Sequence, residues 1–94
     1  MYSIKTSTQF RKDIKRIQKS GRKKSDMTKI KWIIEQLTLP AALPEQNREH
    51  TLSGNYNIYR ECHILPDLLL IYLQDKEANE LFLYRIGSHS ELFE

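Results

Sequence analysis

The chain has 94 residues, of which 39% are hydrophobic and 29% are charged, and this predicts one globular domain over residues 1–94. Its longest apolar run, residues 68–73, is too short for a membrane-spanning helix, and the first residues lack the apolar stretch of a secretory signal. Cys62, the single cysteine, cannot form an internal disulfide and is expected to be a small buried residue. We therefore expect a cytoplasmic protein without membrane contact.

The positive charge lies in the first part of the sequence. Residues 1–36 contain eleven lysines and arginines against three acidic residues, a net charge of +8, whereas the remaining residues carry −5. Clustered cations attract polyanions and acidic proteins. A solvated helix face explains the same charges equally well.

A short strand and two helices are predicted in the first 40 residues. Residues 2–6 alternate as a strand with one buried face does, and Thr6 or Ser7 can then cap a helix that ends before Gly21. Its apolar positions are Phe10, Ile14 and Ile17. The second helix is expected to be capped by Ser25 and Asp26 and to end at Pro40, with an apolar stripe of Met27, Ile30, Ile34 and Leu37, broadened by Trp32 and Ile33.

The rest of the sequence predicts a β-meander. Residues 41–48 are expected to form a loop, and strands are predicted at 50–53, 57–63, 68–73 and 80–86, joined by turns at 54–55, 66–67 and 75–79. The fold class is therefore α+β: an N-terminal strand, an α-helical hairpin packed on a four- to five-stranded antiparallel sheet, and a short C-terminal helical turn.

The three histidines, His50, His63 and His89, lie at the edges of predicted strands. Imidazole is an acid or a base near neutral pH, so paired histidines can transfer the two protons that RNA cleavage requires. A zinc site that includes Asp67 is conceivable, but the short paired spacing typical of zinc ligands is absent from the sequence. We therefore predict no metal and no cofactor.

Four segments together resemble a known family. They are residues 50–54 (HTLSG), 59–63 (YRECH), 66–67 (PD) and 87–93 (GSHSELF), and in order and spacing they are similar to the YafQ branch of the RelE superfamily of toxins. The resemblance covers essentially the whole chain and implies a compact fold like that of the microbial ribonucleases. It also implies an mRNA endoribonuclease that cuts in the ribosomal A site and leaves a 2′,3′-cyclic phosphate.

The resemblance assigns roles by position. His50, His63, Asp67, His89 and Phe93 match the family's active-site residues, and Glu61 stands where an acidic residue is common. Strand alternation places Glu61 and His63 on one face. We expect His89 to be the general acid and His63, oriented by Asp67 or Glu61, to activate the 2′-hydroxyl, although the reverse assignment is also open.

Other residues are expected to bind rather than react. His50, with Arg60 or Arg85, is expected to stabilise phosphate charge. Phe93 is expected to stack on a base, with a core anchor as the alternative. Contacts to ribosomal RNA or an antitoxin are expected from the basic side chains of the first helix and the turn after it: Arg11, Lys12, Lys15, Arg16, Lys19, Arg22, Lys23 and Lys24.

The resemblance also implies partners. They are the ribosome, its mRNA and a cognate antitoxin. The antitoxin is expected to be of the ribbon-helix-helix type with an acidic segment that wraps the toxin, and the toxin is expected to contact operator DNA only through it. The alternative function is a catalytically weak RNA- or protein-binding module of the same fold. Three histidines together with Asp67 favour the enzyme, because a binding module has no need of several proton carriers.

Overall fold

The computed structural model describes residues 1–39, 50–51 and 58–93. It confirms the α+β class. The elements in chain order are β1 (Ser3–Thr6), α1 (Thr8–Lys19), α2 (Lys24–Leu37), β2 (His50–Thr51), β3 (Arg60–Leu65), β4 (Leu68–Asp75), β5 (Glu80–Gly87) and α3 (His89–Phe93). The predicted end of α2 at Pro40, the loop at 41–48 and the turn at 54–55 lie outside the described residues.

The five strands form one sheet in the order β1-β5-β4-β3-β2. Strands β2 to β5 are antiparallel neighbours, as the short turns predict. Strand β1 differs because it pairs in parallel with β5, with Ser3 opposite Glu80. Parallel pairing needs a long connection, which the helices and the strands after them supply. The sheet is therefore mixed rather than wholly antiparallel.

Helix α1 begins and ends where the sequence predicts. The Ser7 hydroxyl accepts a hydrogen bond from the Phe10 N–H at 2.9 Å, which satisfies a backbone donor that the first turn leaves open. Phe10 and Ile17 are buried against the sheet. Gly21, which follows the helix, has φ of 80°, a conformation that costs glycine little.

Helix α2 departs from the prediction in two respects. It begins at Lys24, so Ser25 and Asp26 lie in its first turn and do not cap it. The helix buries Ile33 between its predicted core positions, but it leaves Trp32 44% exposed. Trp32 therefore does not belong to the apolar face, because only one stripe of the helix contacts the sheet.

The sheet has a hydrophobic cluster on each face. The larger cluster joins α1 and α2 to one face and contains Cys62, buried as predicted. The smaller one lies on the other face, where Leu69 and Ile71 pack against Leu92 of α3. We call this second side the α3 face. No helix in the described part of the chain is long and apolar enough to cross a membrane.

Candidate active site

Strand β3 places an acid and an imidazole together on the α3 face. Glu61 pairs with Ile71 and His63 with Leu69, so alternation directs both side chains to this face, as predicted. Glu61 Oε1 lies 3.5 Å from His63 Nε2. Glu61 is only 5% exposed, so a buried carboxylate lies beside the His63 imidazole.

The register of the sheet brings His89 to the same end. His63 pairs with Leu69, and Leu69 pairs with Gly87, the last residue of β5. His89 follows two residues later, at the start of α3. A cavity of about 490 Å³ forms there, lined by His63, Pro66, Asp67, Leu69, Ser88, His89 and Ser90. Three of the predicted catalytic residues, His63, Asp67 and His89, therefore share one cavity.

Ser88 and Glu91 form a capping box around His89. The Ser88 hydroxyl accepts the Glu91 N–H at 3.2 Å, and Glu91 Oε1 accepts the Ser88 N–H at 2.8 Å. The Ser88 N–H that the carboxylate accepts lowers the pKa of Glu91 below its ordinary value of 4.5 and outweighs burial, with the Ser88 hydroxyl and Arg16 assisting. Sequence reasoning missed both residues, although the spacing of serine and glutamate around His89 was a visible signal.

Phe93 contacts the same histidine. The ring centroids of His89 and Phe93 are 5.0 Å apart at an interplanar angle of 42°. Phe93 is half-buried and packs against the cluster of Leu69, Ile71 and Leu92. It is thus both a neighbour of the predicted general acid and a partial anchor for α3.

Asp67 lies in the turn between β3 and β4, and its carboxylate is bound by an arginine. Arg22 Nη2 donates to Asp67 Oδ2 at 3.1 Å, and Arg22 Nη1 lies 3.6 Å from Asp26. The carboxylate of Glu61, in contrast, lies 3.5 Å from His63 Nε2. Because Arg22 lies between α1 and α2 and contacts Asp67, which lines the cavity, the turn between the two helices reaches the rim of the cavity.

Arg85 binds a buried acid rather than lining the cavity. Its Nε and Nη2 donate to the two oxygens of Asp13 at 2.8 and 3.2 Å. Asp13 is fully buried and also accepts the Ile86 N–H at 3.1 Å. Burial raises the pKa of Asp13, but the hydrogen bonds outweigh it and hold that pKa below the ordinary value of 3.8.

The other predicted phosphate ligands lie in different places. Arg60 alternates with Glu61 and so falls on the face of Cys62, opposite to His63. His50 pairs with Glu61 across β2 and β3, which places its backbone one strand away from the acid.

Three tyrosine and phenylalanine rings also gather on the α3 face, which the sequence did not predict as a unit. Tyr59 stacks on Tyr84 with centroids 4.5 Å apart, and Phe82 lies 6.5 Å from Tyr59. Burial, and then the neighbouring Tyr84, raise the pKa of Tyr59 above its ordinary value of 10.0.

The predicted basic surface lies mainly on α1. Lys12, Lys15, Arg16 and Lys19 line one groove. Arg11 instead donates to Thr6 and Thr8. Lys23 and Lys24 stand at the start of α2 and are exposed.

The family follows from comparison with known proteins. A model of the YafQ toxins, bacterial toxins of type II toxin-antitoxin systems, matches residues 2–94. The chain belongs to the YafQ family. It is 40% identical over 94 residues to the mRNA interferase toxin YafQ of Escherichia coli K12, covering 96% of this chain and 94% of that relative.

Solved structures of YafQ-like toxins share the fold. A metal-bound toxin from Helicobacter pylori is 41% identical, with a TM-score of 0.89 over 99% of this chain and all of that one. The toxin of the E. coli DinJ-YafQ toxin-antitoxin complex is 35% identical, with a TM-score of 0.83 over 99% and 98% of the two chains.

Proposed function

We propose that this YafQ-family toxin is a ribosome-dependent endoribonuclease that cleaves mRNA with histidine acid-base catalysis. The observation that supports it most is the cavity shared by His63, Asp67 and His89. A concave site with two imidazoles suits a reaction that removes one proton and delivers another. The E. coli relative, an mRNA interferase toxin, supports the same substrate class.

The reaction needs two proton transfers. The 2′-oxygen of the ribose bonds to phosphorus while its proton passes to His63, which Glu61 orients from 3.5 Å. The bond from phosphorus to the 5′-oxygen breaks while His89 donates a proton to that oxygen. The products are a 2′,3′-cyclic phosphate and a free 5′-hydroxyl, and the next turnover requires a proton to return from His63 to His89 through solvent.

Binding is assigned to the surroundings of the cavity. Phe93 stacks on a base of the mRNA, and the groove of Lys12, Lys15 and Lys19 contacts ribosomal RNA through phosphate charge. His50 contributes to phosphate binding from β2. The same basic surface suits an acidic segment of an antitoxin, and the E. coli DinJ-YafQ complex supports an antitoxin partner.

Induced expression of the wild type and of His89→Ala tests the proposal. Growth arrest and codon-phased mRNA cuts, mapped by primer extension, are expected with the wild type only. Lys76→Ala, a substitution in the exposed turn before β5, serves as the matched expression control and should arrest growth. Toxicity retained by a folded His89→Ala protein would remove the assigned role of His89.

The remaining alternatives give different results in the same system. A wild type that neither arrests growth nor cuts mRNA indicates the binding module. The H. pylori relative is a metal-bound toxin, so the toxin is also stripped with EDTA, dialysed, and assayed on ribosomes at a constant Mg²⁺ concentration. We expect the stripped toxin to keep its cleavage rate; a loss that an added transition metal restores would replace the histidine mechanism with a metal-dependent one.

A further inference from the structure

A chain of charged contacts joins α1 to the helix that carries His89. Arg16 Nη1 lies 3.2 Å from Asp13 Oδ1, and Arg16 Nε lies 3.1 Å from Glu91 Oε2. The other oxygen of Glu91 accepts the Ser88 N–H at 2.8 Å. Arg16 therefore bridges a carboxylate of α1 and a carboxylate of α3.

The α1 end of this chain is fixed to the sheet. Asp13 is 0% exposed and is held by the Arg85 guanidinium and by the Ile86 N–H of β5. A carboxylate with this many donors has little freedom to move, because each displacement breaks a charge-assisted hydrogen bond. Arg16 thus extends from a rigid point.

The α3 end needs such support. Helix α3 has five residues, which is far below the length at which a helix is stable by itself. Leu92 anchors its apolar side, whereas Glu91 holds the turn that contains His89. A Cβ atom at Gly87 would lie 3.1 Å from Glu91 Oε1 and 3.3 Å from Arg16 Nη2, so the backbone itself is packed closely against this pair.

We propose that Arg16 and Glu91 are positioning residues for His89. The inference rests on the proposed function, in which His89 is the general acid. Without the bridge, α3 keeps its apolar contact but the imidazole is no longer held at the leaving oxygen. A displacement of about 1 Å can cost roughly 100-fold in rate, so we expect kcat to fall about 10- to 100-fold in Arg16→Met.

Three variants separate positioning from charge and from folding. Glu91→Gln removes the ion pair but keeps an oxygen that can accept the Ser88 N–H, so the capping box survives. Lys15→Met removes the same charge as Arg16→Met from the same groove. We expect Lys15→Met to raise KM and keep kcat, and Glu91→Gln to lower kcat. Arg16→Met should raise KM and also lower kcat.

A substrate with sulfur in place of the 5′-oxygen at the cut site gives the decisive measurement. A thiolate leaves without being protonated, because it is a much weaker base than an alkoxide. The variants are assayed on programmed ribosomes with the oxygen and the sulfur substrate. We expect Arg16→Met, Glu91→Gln and His89→Ala to be slow on oxygen and within about threefold of the wild-type kcat on sulfur, a window of less than 1 kcal/mol.

The outcomes distinguish the two proposals. If His89→Ala is slow on oxygen but recovers on sulfur, the catalytic role of His89 stands. If Arg16→Met then stays slow on sulfur, or keeps the wild-type kcat on oxygen, only the positioning role is overturned. If His89→Ala is slow on both substrates, the general-acid role falls, and the positioning role falls with it.

Discussion

Asp13 is the residue whose replacement should destabilise the fold most clearly. In Asp13→Ala, the Ile86 N–H loses its acceptor at 3.1 Å, and an unsatisfied buried donor costs about 1–3 kcal/mol. Arg85 also loses its partner, and breaking a buried ion pair costs about 3–5 kcal/mol. The arginines are partly solvated, with Arg85 20% and Arg16 43% exposed, so the lower end of each range applies.

We therefore expect Asp13→Ala to lower the free energy of unfolding by about 4 kcal/mol in all, a large fraction of the stability of a small domain. For a domain of this size, that corresponds to a fall in Tm of about 16–32 °C. Asp13→Asn keeps an oxygen for the Ile86 N–H and loses only the charge, so its effect should be smaller.

Urea unfolding followed by circular dichroism measures these differences, with the midpoint interpreted at constant slope. Glu77→Ala is the matched control, because it removes one negative charge from an exposed turn and should change stability by less than about 0.5 kcal/mol. A loss below about 1 kcal/mol in Asp13→Ala would refute the view that this carboxylate is the main polar link between α1 and the sheet.

Three further results are expected. Phe93→Ala should weaken cleavage while Tm falls only modestly, because the ring is half-buried; a collapse of the fold would make Phe93 a core anchor instead. Gly21→Ala should cost about 1 kcal/mol of stability through φ of 80° alone, since a Cβ there meets no atom within 4 Å; an unchanged urea midpoint would contradict this. The pKa values of Asp13 and Glu91 are lower in the folded protein than their ordinary values, so each carboxylate stabilises the fold at a pH above its ordinary pKa, and this stabilisation is lost as the pH falls through the folded pKa. In an acid titration, Asp13→Asn should therefore lose less stability than the wild type.

Local patterns in the sequence predicted the parts of the fold that depend on neighbours in the chain. The spacing of Phe10 and Ile17, the cap at Ser7 and the shared face of Glu61 and His63 all follow from the period of a helix or a strand. The start of α2 was misplaced because polar residues suit a first helical turn as well as a cap.

Features that depend on distant pairs were not predictable in this way. Asp13 occupies a position in a basic, amphipathic helix where a solvated side chain is the ordinary expectation, yet it is buried because Arg85, 72 residues later, compensates its charge. The same limit applies to Arg22 and Asp67, whose contact joins residues 45 apart. The parallel pairing of β1 with β5 was not predicted either, because it joins residues that are far apart in the sequence.

The pairing of β1 with β5 has a consequence for how the chain folds during synthesis. Ser3 cannot pair until Glu80 has been made, and at about 5–20 residues per second this separates the two by roughly 4–15 seconds. Contacts so distant in sequence slow folding, because the closure of the loop must precede the contact. The sheet, and with it the cavity at its end, is therefore completed only after nearly the whole chain has left the ribosome.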